Sequence, residues 1–107
     1  QKAELAAAQN RLQELKLQVR LEVQTARSNF TSSRKRVQAT RKAVDQGKES
    51  LRIERVKYRV GEATVTDVLD AQAELLESQT NYSQALADYN TALAELKLAM
   101  GAEAAQQ

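Results

Sequence analysis

A chain of 107 residues with 4% aromatic residues, one Phe and no Trp lacks the bulky side chains that fill a layered globular core, so a thin helix-on-helix seam is the expectation. Having neither Cys nor His, it has no disulfide scaffold, no thiolate or imidazole for a metal, and few of the usual groups of covalent or acid–base catalysis; neither an enzyme nor a cofactor is expected. The net charge of +2 conceals a division: residues 1–61 hold 15 Lys/Arg against 6 Asp/Glu (+9), and residues 62–107 hold 1 against 8 (−7), which reads first as mutual pairing of two halves.

Proline is absent, and Ala, Leu, Gln, Glu, Lys and Arg dominate, the composition of long helices and coiled coils. Regular apolar spacing argues against disorder, the competing reading of so polar a chain. No stretch approaches the roughly 20 apolar residues of a spanning helix, and no basic-then-apolar signal segment opens the chain. Opening on Gln1, it reads as a trimmed or processed piece.

The first helix is expected from about Lys2 to Arg59. From Phe30 onward Ser33, Val37, Thr40, Val44, Gly47, Leu51, Glu54 and Tyr58 alternate in steps of three and four, a heptad register whose small members let another helix approach closely. Leu5, Leu12, Leu15, Val19, Val23 and Ala26 continue the stripe upstream. Arg55, Lys57 and Arg59 place positive charge at the carbonyl end of this helix, which suits its dipole.

A turn comes next at Val60-Gly61-Glu62-Ala63, with Gly61 free to take the backbone angles that a reversal requires. Thr64-Val65-Thr66-Asp67 then fits a capping pattern in which the threonine oxygen accepts from a free N–H and the aspartate sits in the first turn. The second helix is expected over about 64–100, with Gly101 as its C-terminal cap and a tail over 101–107. Its seam is read as Val65, Val68, Gln72, Leu75, Gln79, Tyr82, Leu86, Tyr89, Leu93, Leu96 and Met100. Ala71, Ser78, Ala85, Ala92 and Ala99 form a second stripe, assigned to a further neighbour.

The fold class is therefore all-α, a long antiparallel coiled-coil hairpin. At about 1.5 Å per residue the first helix spans about 85 Å and the returning one about 55 Å. Leu5, Leu12, Leu15 and Val19 are left without an intrachain partner, and the isolated chain is expected to self-associate through the uncovered stripe.

The run Tyr58-Arg59-Val60-Gly61-Glu62-Ala63-Thr64-Val65-Thr66-Asp67-Val68-Leu69-Asp70-Ala71-Gln72, with Asn81-Tyr82, Ala85-Leu86, Asp88-Tyr89-Asn90, Ala92, Leu96 and Ala99-Met100-Gly101 downstream, resembles the TolC-like outer-membrane efflux proteins. The resemblance covers essentially the whole chain. It implies a homotrimer whose subunits each give two repeats, forming an α-helical barrel through the periplasm below an outer-membrane β-barrel. This chain resembles the second-repeat hairpin, without the strands of the barrel or the first repeat. The implied role is a passive conduit for drugs or other solutes, driven by an inner-membrane transporter through a periplasmic adaptor.

By the same resemblance Asp67 and Asp70 ring the narrow periplasmic mouth of the tunnel, where three copies would favour cations and raise one another's pKa. Read without the resemblance, Asp67 is a capping residue and Asp70 a solvated first-turn charge. Tyr58 corresponds to a residue that helps hold the mouth closed, although its heptad position equally gives it a packing role. Val60, Gly61, Glu62, Ala63 and Thr64 form the tip that meets the adaptor. Some relatives carry a basic residue where this chain has Ala63, so the resemblance does not extend to a gate locked by that contact. Glu62 likewise departs from the apolar or hydroxyl residue of several relatives, and adaptor preference does not carry over.

Two other classes are weighed. An adaptor-type hairpin would carry R-x-x-x-L at its tip, which Arg59-Val60-Gly61-Glu62-Ala63 does not match, and a generic coiled-coil scaffold needs one seam only. Arg34-Lys35-Arg36 and Arg41-Lys42 supply charge of the kind that binds nucleic acid, but nothing aromatic is interleaved to stack on bases. They read as a solvated or helix-pairing face, and no nucleic-acid partner is expected.

Overall fold

The computed structural model describes residues 1–105. It contains two helices, α1 (Lys2–Arg59) and α2 (Val65–Ala105), and no strand among the described residues. The all-α hairpin is the architecture that the heptad spacing predicts, and α1 has the predicted bounds. Two contacts give the helices an antiparallel sense: the Arg36 guanidinium bonds Asp88 at 2.6 Å, and a Cβ on Gly47 would lie 3.2 Å from Leu75 Cδ1.

The chain divides into two compact units, one over Ser33–Tyr89 and one formed by Gln1–Ser32 with the segment from Asn90 onward. In the first, Val44 and Leu51 of α1 are buried with Ala71 and Ala85 of α2, and Ser33, Val37, Thr40 and Gly47 are half-buried in the predicted three-four rhythm. Thr40 sits in the seam at little cost because its hydroxyl donates to the carbonyls of Arg36 and Val37, at 2.8 and 3.1 Å, one turn back along its own helix. Gly47 has a packing role: the Leu75 backbone itself comes within 3.5 Å of where a Cβ would stand.

On α2 the seam differs from the expected one by a single column. Val68, Leu75, Tyr82, Tyr89 and Leu96 are half-buried as expected. Their companions are the small residues, with Ala71 at 7%, Ala85 at 1% and Ala92 at 5% exposure, whereas Val65, Gln72, Gln79, Leu86 and Met100 are exposed. The small-residue stripe thus serves the hairpin itself. Burying Gln72 and Gln79 would strip two amides of water without offering them partners, while the buried Ala71 and Ala85 allow close approach at no such cost.

In the second unit Val19, Val23, Ala26 and Ala92 are buried. Gly101 is not a cap: α2 passes through it to Ala105, and the only glycine with positive φ among the described residues is Gly61. With no proline or competing cap, the Ala-rich tail continues the helix; residues 106–107 of the expected tail lie outside the described residues. The longer helix also corrects the overhang. Glu103 lines a cleft with Arg20, Val23, Gln24 and Arg27, and Val19 is 7% exposed, while Leu5, Leu12 and Leu15 remain 61%, 50% and 47% exposed.

The expected pairing of the charged halves is mostly not realised. Among the described residues Arg36–Asp88 is the one ion pair that crosses between the helices; Arg52–Glu49 and Lys57–Glu54 lie within α1. Packing of the seam sets the spacing of the helices, and it leaves most charges on outer flanks, where an exposed pair contributes at most about 1 kcal/mol.

Candidate functional site

The tip is built from two reciprocal hydrogen-bond motifs with five residues between the helices. At the end of α1, Glu62 N–H donates to the Lys57 carbonyl at 2.8 Å and Gly61 N–H to the Tyr58 carbonyl at 3.2 Å, with Gly61 at φ +78°. These are the two bonds of a Schellman ending, which satisfy carbonyls the helix cannot and require a left-handed residue in the glycine position. At the start of α2, Thr64 N–H donates to Asp67 Oδ2 at 2.9 Å and Asp67 N–H to Thr64 Oγ1 at 3.2 Å. That is the capping box the sequence predicts.

The box sets the electrostatics of Asp67. Its carboxyl is held below the ordinary aspartate value, first by the backbone N–H of Thr64, then by the Thr64 hydroxyl, with a smaller pull from the Lys57 ammonium. Repulsion among neighbouring carboxylates would have to overcome this before Asp67 could take up a proton near neutrality. Asp70, one turn further on, is exposed.

Which flank each charge occupies can be read from the Arg36–Asp88 bond. Arg36 precedes the half-buried Val37 and Asp88 precedes the half-buried Tyr89, so residues one step before a seam position share a flank on both helices. Asp67, Asp70, Glu74 and Glu77 precede Val68, Ala71, Leu75 and Ser78, all seam residues, and so share it too. Arg34, Arg41, Lys48, Arg52 and Arg55 come directly after Ser33, Thr40, Gly47, Leu51 and Glu54 and occupy the opposite flank. The tip unit therefore has an acidic side supplied by α2 and a basic side supplied by α1.

The other residues singled out by sequence surround the tip. Tyr58 is 49% exposed and Val60 64%, Ala63 is half-buried, and Gly61, Glu62 and Thr64 are exposed. Tyr58 thus ends the seam without being covered by it. Sequence reasoning took Arg34-Lys35-Arg36 and Arg41-Lys42 as a solvated or helix-pairing face but missed the repeat that sets the flank: Arg20, Arg27, Arg34, Arg41, Lys48 and Arg55 recur every seventh residue. Among the described residues no cluster of acidic side chains is arranged to hold a metal ion, and no helix is long and apolar enough to cross a membrane.

The tip is thus a capped antiparallel hairpin with unlike charged flanks. Comparison with known families matches residues 1–102 to the family described as "Outer membrane efflux protein", and the chain belongs to that family of outer-membrane channel proteins. No curated protein and no solved structure matches the chain.

Proposed function

We propose that this hairpin is a periplasmic segment of tunnel wall in a trimeric outer-membrane efflux channel, with its tip at the periplasmic mouth. The observation that supports this best is the position of Asp67 and Asp70 on one flank, directly beyond a tip fixed by the Schellman ending and the capping box. In this reading that flank faces the lumen, and three copies of the two carboxylates form a narrow anionic ring that favours cations. The capping bonds give Asp67 a second task, since they fix the angle at which its carboxylate enters the ring.

Solutes pass without covalent chemistry, and the work comes from an inner-membrane transporter coupled through a periplasmic adaptor. Val60, Gly61, Glu62, Ala63 and Thr64 are the tip surface offered to that adaptor, and Tyr58, exposed at the end of α1, packs against a neighbouring tip. The first repeat and the strands of the outer-membrane barrel belong to other parts of the protein. In this arrangement Leu5, Leu12 and Leu15 are covered by adjoining helices.

The test is single-channel recording from the complete protein in planar bilayers. Replacing both aspartates (Asp67→Asn with Asp70→Asn) removes the ring's charge at nearly constant size, so it should change conductance and reduce preference for cations. Unchanged conductance and selectivity would remove both residues from the lumen.

A further inference from the structure

The unit of the chain ends carries an open groove that differs in character from the basic cleft of the same unit. The groove holds about 710 Å³, within the range of small-molecule sites, about 300–1,000 Å³. Leu21, Ala26, Leu98 and Ala99 give it an apolar floor, Glu22 stands on its α1 wall and Glu95 on its α2 wall, and no Lys or Arg lines it. Register accounts for the difference. Gln18, Glu22, Thr25 and Asn29 each directly precede a buried or half-buried residue of α1, and all four line the groove. Arg20, Gln24 and Arg27 each directly follow a buried one and line the cleft with Glu103. Leu98 is 77% exposed and Leu21 53%. Glu22 accepts a 3.4 Å bond from the Gln18 amide, and neither Glu22 nor Glu95 is in an ion pair among the described residues.

We infer that this groove binds a small lipophilic cation, an amine or quaternary ammonium ion on an alkyl or aryl body. The body covers Leu21 and Leu98 and takes their exposed surface out of water, while the cationic head lies against Glu22 or Glu95. From Gln18 to Asn29 the groove follows about 16 Å of α1, room for an extended alkyl chain. Charge selects the cation, because a lipophilic anion would bring its head beside two carboxylates. A neighbouring helix is a poorer occupant. Covering the groove along its length would take Gln18, Glu22, Asn29 and Glu95 out of water together, a cost that a small ion avoids by leaving the rim wet. The inference goes beyond the channel reading and stands without it, because it uses only the surface of this unit.

The test follows the methyl resonances of the 107-residue chain by NMR during titration with octyltrimethylammonium and with octyl sulfate, each below its micelle concentration. The cation should shift the Leu21 and Leu98 methyls and bind about tenfold more tightly than the anion, the scale of two exposed charge contacts. The chain's net charge of +2 acts in the opposite sense, so a cation preference reports the groove. Glu22→Gln with Glu95→Gln should abolish that preference at nearly constant side-chain size. Leu98→Ala should weaken the cation about fivefold by removing apolar wall, and circular dichroism should show both variants as helical as wild type. Glu14→Gln, outside the groove, should leave the preference unchanged. No binding, equal or tighter binding of octyl sulfate, or a cation preference that survives the double variant would overturn the inference. So would Leu21 and Leu98 shifts that grow with chain concentration in the absence of either ion, because a second copy would then fill the groove. Channel conductance with Asp67 and Asp70 replaced leaves this groove intact, so the two readings fail separately.

Discussion

The tip unit and the unit formed by the chain ends bury seams of similar make, yet they differ in how their polar groups tie the helices together. Between Ser33 and Tyr89 the seam buries Val44, Leu51, Ala71 and Ala85, an ion pair ties the helices together, and both helix ends at the turn are capped. In the unit of the ends Val19, Val23, Ala26 and Ala92 are buried, but Leu5, Leu12, Leu15, Leu17, Leu21 and Leu98 are between 47% and 77% exposed. Apolar exposure does not separate the two, since Val60, Val65, Leu69 and Leu76 of the tip unit are between 53% and 64% exposed; the capped turn and the cross-helix ion pair are what the tip unit has and the ends lack among the described residues.

Mutations can break or sharpen this contrast. Leu51→Ala should lower the unfolding free energy of the isolated chain by about 2–4 kcal/mol, the usual loss for a buried leucine, measured by urea denaturation. Gly61→Ala comes next at about 1–2 kcal/mol: nothing lies within 4 Å of the added Cβ, so the whole cost is the left-handed backbone at φ +78°. Thr64→Ala should cost about 1 kcal/mol through loss of the cap, with amide exchange accelerating first at Asp67 and Val68.

The cap also predicts a pH dependence. Because the folded state lowers the pKa of Asp67, the stabilisation is complete above the unfolded aspartate value and is lost as pH falls through the lowered one. Acid titration of wild type against Asp67→Asn should therefore diverge above the aspartate range and converge below it. The smallest effects belong to the ends: Gly101→Ala should stabilise by up to about 1 kcal/mol, since Gly101 is helical with open space around it. Leu98→Ala should change stability by less than about 0.5 kcal/mol.

The parts of this arrangement that were legible in the sequence are those fixed by local chemistry. The heptad steps of α1, the glycine at the reversal and the Thr64–Asp67 box each have one good local solution, and the structure adopts it. The choice of partner column on α2 was harder, because Val68, Leu75 and Tyr82 belong equally to the Ala71–Ala85 and Gln72–Leu86 readings. Only the cost of burying glutamines against the gain of close packing separates the two. Gly101 misled because a glycine after an apolar run has the pattern of a cap, while the angle that makes it one depends on the residues beyond it, here a run of helix formers. Charge was legible in amount but not in placement: the +9 and −7 halves suggest pairing, whereas the seam turns most of the two sets to opposite flanks.

The most direct test of that placement is cysteine modification in the complete protein during bilayer recording. Asp70→Cys on the acidic flank and Arg41→Cys on the basic flank would each be exposed to a small, positively charged thiol reagent. If the acidic flank lines the tunnel, the reagent should step down the current through Asp70→Cys channels and leave Arg41→Cys channels unaffected. The reverse pattern, or equal block of both, would contradict the account.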